Sequence, residues 1–271
     1  MKPLLKWAGG KRALIENIVD LLPADYGERR YHEPFFGGGA VFFHIEPEEG
    51  SINDVNPRLM NFYRVVRDRP AELIEEASGF KYEAKEFYVR RSRFNTPGLD
   101  EVEDAALFIY LNKTAYNGLY RVNSRGEFNV PFGRYSNPTI VPIGQILKTH
   151  ELLKNVKILC GDFSYVLDEA GEGDVCYLDP PYHPSSETAN FTNYSSDGFK
   201  KGEQERLRDL CVSLDRKGVT FVLSNSDTDT IRDLYQACAG FKVISLDTMR
   251  MISRKVSSRD SGQDLLITNN I

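Results

Sequence analysis

The 271-residue chain is long enough for one large domain or one domain carrying an insertion, and 41% hydrophobic residues exclude a disordered polymer. A net charge of −5 gives no overall pull towards a polyanion, and no apolar run reaches the roughly 18 to 20 residues that cross a bilayer. Cys160, Cys176, Cys211 and Cys238 form no C-x-x-C pair, so a zinc site and disulfides are disfavoured; with no long apolar segment in MKPLLKWAGGKR, the expectation is a soluble cytoplasmic protein with reduced thiols.

The first motif is KWAGGKR (Lys6 to Arg12). Trp7 and Lys11 flank two glycines ahead of a helical stripe, Leu14 to Leu22, that ends at Pro23. Such a segment suits an anion near a helix N-terminus, and equally a capping loop with Trp7 in the core. YHEPF (Tyr31 to Phe35) reads as a strand running into Gly37, Gly38 and Gly39, and SINDV (Ser51 to Val55) as the next strand. Glycines after a first strand let backbone approach a ligand, and Asp54 at the end of the second can accept hydrogen bonds from ribose hydroxyls. A structural turn remains open. The third glycine of the dinucleotide pattern is missing at Ala40 and Phe42, which disfavours a nicotinamide cofactor. Glu33 and Phe35 border the same turn, Glu33 facing a second polar ligand group.

Asn56 and Pro57 form an N-cap followed by proline at the first helical position, opening a charged helical stretch to about Asp104 broken at Thr96 to Gly98. Ala105 to Tyr116 reads as a further helix. YNGLYRVNSRGEFNVPFGRYSNPTIVP, rich in Asn, Gly, Pro and aromatics, is an ordered loop region or hairpin. Alternation then resumes: strand VKILCGD, strand VCYLD, helix Glu203 to Arg216, strand VTFVLSN, helix Thr228 to Ala239, and closing strands near Lys242 to Asp247 and Leu265 to Thr268. The expected fold is α/β: a doubly wound, Rossmann-like sheet with helices on both faces, formed by residues 1–56 and 143–271, with a mostly helical insertion at 57–142 that carries recognition.

The sharpest motif is Asp179-Pro180-Pro181-Tyr182. The apolar run Val175 to Leu178 reads as a buried strand that the prolines must stop, leaving Asp179 at a carboxyl end, where open α/β sheets bind ligands. The Asp179 carboxylate and the Pro180 carbonyl are two acceptors able to grip both hydrogens of an exocyclic amine, and Tyr182 offers a face on which a base stacks. A tight turn is the plain alternative. Gly161 to Phe163 (GDF) puts Asp162 and Phe163 after the VKILC strand, where an acid and an aromatic could hold an adenine. Charge is uneven: Lys113, Arg121, Arg125 and Arg134 against Glu127 give a local +3, and Arg250, Arg254, Lys255 and Arg259 against Asp260 give another. Two basic segments on an acidic body suit phosphate contacts, or two solvated loops.

In this order, KWAGGK, EPF-x-G-G-G with its following Asp, DPPY, and YNGLYRVN-x-x-GEFNVPFGRY resemble the DNA adenine N6-methyltransferases of the Dam type over nearly the whole chain. The resemblance implies S-adenosylmethionine as cofactor, no metal, double-stranded DNA as substrate and GATC as the usual target. Trp7 and Lys11 would line the cofactor site with Glu33, Phe35, Gly37, Gly39 and Asp179, Asp54 would bind its ribose, Asp162 and Phe163 its adenine, and Asp179 to Tyr182 would hold a flipped adenine. Lys6 and Arg121 would read guanines, Tyr116 and Asn117 would wedge into the stack, and Pro131 would touch a thymine methyl. Leu119, Asn123, Arg125 and Arg134 complete the recognition segment. His183 reads as a surface or supporting histidine and not as a base. The alternatives are an N4-cytosine DNA methyltransferase and a catalytically inactive DNA-binding protein. A cognate restriction endonuclease acting on the same site is a partner the resemblance allows.

Overall fold

The computed structural model describes residues 1–11, 13–182, 199–247 and 263–270. The strands are β1 (Tyr31–Glu33), β2 (Gly50–Asp54), β3 (Val156–Cys160), β4 (Val175–Leu178), β5 (Thr220–Ser226), β6 (Lys242–Asp247) and β7 (Gln263–Thr268). The helices are α1 (Ile15–Val19), α2 (Phe42–Ile45), α3 (Pro57–Asp68), α4 (Pro70–Ser78), α5 (Ala84–Phe94), α6 (Glu101–Thr114), α7 (Ile143–Leu153), α8 (Val166–Glu169), α9 (Lys201–Arg216) and α10 (Asp229–Gln236). The strands form a mixed seven-stranded sheet in the order β3-β2-β1-β4-β5-β7-β6. Its β3-β2-β1-β4-β5 portion follows the doubly wound order, in which the direction of winding switches between β1 and β4.

The chain divides into two compact units, Met1–Gly10 with Phe36–Phe163, and Lys11–Phe35 with Ser164–Ile271. In the first, β2 and β3 pair in parallel, with Asp54 opposite Cys160 at their carboxyl ends. Around this pair the helices run α2 to α7. The Asn56 side chain accepts from the backbone N–H groups of Arg58 and Leu59, so Asn56 caps α3 with Pro57 first in the helix, as the sequence leads one to expect. α6 is buried along nearly its whole length, and its Phe108 ring stacks on Phe62 at 5.7 Å. That burial explains why no amphipathic stripe marks its start. The expected helix from Ala105 begins at Glu101 instead, capped by Asp100, whose side chain accepts from Val102 and Glu103.

In the second unit β1, β4 and β5 are parallel, Tyr31 opposite Val175 and Leu178 opposite Leu223. β1 and β4 are buried at every residue, the pattern of strands covered on both sides. β7 runs antiparallel between β5 and β6, with Leu265 facing Asn225 on one side and Ser245 on the other. Three expectations shift. The helix at Leu14 to Leu22 shortens to α1, with Leu21 and Leu22 in turns that bond back to Ile18 and Val19. The strand expected over Tyr31 to Phe35 stops at Glu33, because Pro34 cannot extend the ladder. α7 was not expected at all: only Ile146, Thr149 and Leu153 are buried, and Pro142 and Gly144 sit at its start. Among the described residues no helix is long and apolar enough to cross a membrane.

Candidate active site and nucleic-acid interface

The two carboxyl ends beside the switch, after β1 and after β4, belong to the second unit. Pro180 ends β4 and leaves Asp179 as the first residue beyond it, with Pro180 buried and Tyr182 half-buried. Asp179 Oδ1 accepts from the Ser224 hydroxyl at 2.8 Å and pairs with the Lys11 ammonium at 2.9 Å. The same ammonium lies 4.4 Å from the centroid of the Tyr182 ring. Ser224 Oγ is in turn 3.0 Å from the Tyr177 hydroxyl. Burial, with the Asp179 charge next, pushes the Tyr177 hydroxyl well above its ordinary range, so it stays protonated. Behind the prolines, Gln204 donates to the Pro181 carbonyl and accepts from Asn225.

Glu33 is buried and accepts from the Tyr31 hydroxyl at 2.7 Å. Phe35 is half-exposed and meets Phe199 edge to face at 5.8 Å. Lys11, expected among the cofactor residues, is thus found on the carboxylate expected to hold the base. Ser224, Tyr177 and Gln204 were not singled out from sequence. A usable signal existed for Ser224, since it lies one position past Leu223 on the strand paired with β4, but only once that pairing is known.

The first unit carries the remaining residues expected at the cofactor. Asp54 Oδ2 accepts from the Gly37 N–H and Oδ1 from the Asn56 N–H, both at 2.9 Å. Burial raises the Asp54 carboxyl, against the pull of those backbone donors. The parallel register brings the turn Gly161, Asp162 and Phe163 to the same edge, where Asn53 donates to the Gly161 carbonyl. Asp162 is exposed, Phe163 is buried, and Val55 beside Asp54 is 69% exposed. The glycine turn serves packing first. Gly37 has φ +50, and a Cβ there would stand 2.8 Å from Trp7 Cδ1, so the turn makes room for the indole. Gly39 packs under Phe36 and Phe43. Trp7 stacks on Tyr120 at 5.7 Å and on Phe108 at 6.5 Å, remaining half-exposed. Trp7 thus packs on these rings while staying partly exposed, short of the core position of the capping-loop reading.

The residues expected to contact DNA fall into two groups in this unit. Tyr116 and Asn117 are exposed at the end of α6, and Asn117 takes left-handed φ/ψ of 54° and 14°, which asparagine tolerates. The Tyr116 N–H donates to the carbonyl of exposed Pro131. Lys6 lies over the Tyr135 ring at 4.0 Å, and the absence of a side chain at Gly118, φ +63, lets the Lys6 chain pass. Arg134 is exposed and Leu119 half-exposed.

The second group is a hairpin in which Val122 faces Phe128. Asn123 Oδ1 accepts from the Arg125 and Glu127 N–H groups, so that residue organises the turn. Arg125 is exposed, and Arg121 Nε donates to Asn129 Oδ1 at 2.8 Å. Arg12, His183, Arg250, Arg254, Lys255 and Arg259 lie outside the described residues.

A family model described as D12 class N6 adenine-specific DNA methyltransferase matches residues 7–252. The chain is 42% identical to the type II methyltransferase M1.LlaDCHI of Lactococcus lactis subsp. cremoris, over 99% of this chain and 95% of that protein. It is 43% identical to the type II methyltransferase M.MjaIII of Methanocaldococcus jannaschii, over 99% of each. It is 37% identical to the DNA adenine methylase of Serratia marcescens, over 98% of this chain and 97% of that protein. The chain therefore belongs to the D12 class of N6 adenine-specific DNA methyltransferases, the class that the order of its motifs implies.

Proposed function

We propose that this chain transfers a methyl group from S-adenosylmethionine to the N6 amine of an adenine flipped out of duplex DNA, within GATC. The observation that carries the reading is Asp179 at the carboxyl end of β4, its carboxylate fixed by Ser224 and Lys11 beside the Tyr182 ring. The residues fit the cofactor: Asp54 is anchored by backbone donors and only partly buried, open to ribose hydroxyls, with exposed Val55 as apolar surface and Asp162 as a polar contact for the adenine. When bound, the cofactor supplies a methyl group on a sulfonium whose C–S bond breaks as the N–C bond forms.

The chain's part is to bind, orient and accept. Asp179 and the Pro180 carbonyl take the two N6 hydrogens, which draws the nitrogen towards a pyramidal geometry and aims its lone pair. Tyr182 stacks on the base, an interaction worth about 1–3 kcal/mol in single-strand binders. Once methylated, N6 loses one proton to water. Flipping costs a few kcal/mol, which the wedge residues Tyr116 and Asn117 and the phosphate contacts of the 57–142 insertion offset. Lys6 and Arg121 read guanines, Arg121 with a fork that grips two acceptors. Two relatives bear the name type II methyltransferase, and by extension this chain would protect DNA against an endonuclease of the same specificity, in the cytoplasm where the DNA lies.

The test is incubation with methyl-labelled S-adenosylmethionine and unmethylated duplexes containing GATC or its single-base variants, followed by digestion to nucleosides. Label in N6-methyldeoxyadenosine from GATC duplexes alone is expected. Asp179→Ala should keep cofactor binding and lose transfer. Label in N4-methylcytosine, or wild-type turnover by Asp179→Ala, would overturn the reading.

A further inference from the structure

We propose that Ser224 is a positioning residue that turns the Asp179 carboxylate so that Oδ2, not Oδ1, receives the substrate amine, and that Tyr177 orients Ser224 for this task. The inference rests on the reading of Asp179 as the acceptor of the N6 amine.

The placement follows from the sheet. β4 and β5 pair in parallel with Leu178 opposite Leu223, so the next residue of each strand, Asp179 and Ser224, stand side by side. Ser224 is fully buried and Tyr177 nearly so. The Ser224 hydroxyl has one proton and two neighbours, Asp179 Oδ1 at 2.8 Å and the Tyr177 hydroxyl at 3.0 Å. A carboxylate paired with an ammonium can only accept, so Ser224 donates to Asp179 and accepts from Tyr177. Only one direction satisfies the chain: Tyr177 O–H to Ser224 Oγ, then Ser224 O–H to Asp179 Oδ1.

That direction has a geometric consequence. The terminal torsion of an aspartate is broad and twofold, so an isolated carboxylate presents either oxygen. Here Ser224 and Lys11 both engage Oδ1, and among the described residues none donates to Oδ2. The lone pairs of Oδ2 are therefore what the carboxylate offers an incoming amine. Ser224, held from a rigid buried strand, fixes this orientation more firmly than Lys11 does from its flexible stem. Ser224 touches no reacting atom; it works through Asp179.

The test measures single-turnover methylation, the KM for a GATC duplex and the affinity for S-adenosylmethionine in the full chain. Ser224→Ala should slow methylation at least about tenfold, with cofactor affinity and KM changed by less than about twofold. Tyr177→Phe should show a smaller loss of the same kind. The double variant Ser224→Ala/Tyr177→Phe removes both hydroxyls, leaves no orphaned partner, and should match Ser224→Ala. In an Asp179→Asn background, Ser224→Ala should add nothing to the residual rate. A Ser224→Ala enzyme with wild-type rate, or one whose rate and cofactor affinity fall together, overturns the inference while the functional reading stands. A wild-type chain that leaves no label on adenine overturns both.

Discussion

The Lys11 ammonium and the Asp179 carboxylate form an ion pair at 2.9 Å in which the two side chains are only 11% and 21% exposed. Lys11 is the first residue of the second unit and Asp179 the first residue beyond β4, so the pair links the start of that unit to the carboxyl end of β4. Removing one partner strands a charge in a poorly hydrated place. Lys11→Met should cost about 1–3 kcal/mol of stability, discounted from a fully buried pair for the exposure of Asp179. In an Asp179→Asn background the same substitution should cost about 1 kcal/mol less, a non-additivity read from urea midpoints. Additive losses would mean the pair contributes nothing.

Gly37 and Trp7 make a second test. A Cβ at Gly37 would meet the indole at 2.8 Å, and φ +50 is strained for alanine. Gly37→Ala should destabilise by about 1–3 kcal/mol. Because Trp7 is the single tryptophan, its emission reports the displacement directly. An unchanged spectrum with unchanged stability would show that the turn tolerates the methyl group.

Arg121 is pinned through Nε by Asn129 across the hairpin, an arrangement that suits the proposed forked contact of its terminal nitrogens with a base. Arg121→Ala should remove about 1–3 kcal/mol of discrimination at one guanine of the site. Asn129→Ala should give a smaller loss at the same position, because the arginine survives but is no longer aimed. Losses spread evenly over all sequences would mark Arg121 as a phosphate contact instead.

His32 is wholly buried, with Nε2 3.0 Å from Asp174 Oδ2. Burial lowers its pKa below 6.5, against the opposing pull of Asp174. The unfolded chain therefore takes up this proton first as pH falls. The contribution to stability is complete above pH 6.5 and is lost as pH drops towards the folded value, where the loss levels off. Denaturant titrations of wild type and His32→Gln over this acid range should show the steeper slope in wild type. Parallel curves would rule out His32 as the titrating group.

Much of this was legible because punctuation is local. Pro180 and Pro181 announce the end of β4, Asn56 and Pro57 announce α3, and so Asp54 and Asp179 can be placed at strand ends without a structure. What binds those ends is non-local. Ser224 is 45 residues from Asp179 and becomes its partner only through parallel register. Lys11 carries no mark that says carboxylate rather than cofactor. Trp7 was open between two roles because its stacking on Phe108 and Tyr120 depends on residues a hundred positions away. The recognition segment was readable as a hairpin in outline, but the use of Asn123 within its own turn was hidden by the resemblance of asparagine in a turn to asparagine on a ligand.

The position of β7 also sets the order in which the protein can be completed during synthesis. β6 pairs with β7, which also pairs with β5, so β5 and β6 cannot be joined until Thr268 has been made. At about 5–20 residues per second on the ribosome, the stretch from Ser226 to Thr268 takes roughly 2–8 s to emerge. Throughout that interval the nascent chain displays the open edge of β5, the strand that carries Ser224 beside Asp179. An unpaired edge of this kind is a template for pairing with other chains, and the site that would hold the adenine is bounded by it until the last strand slots in.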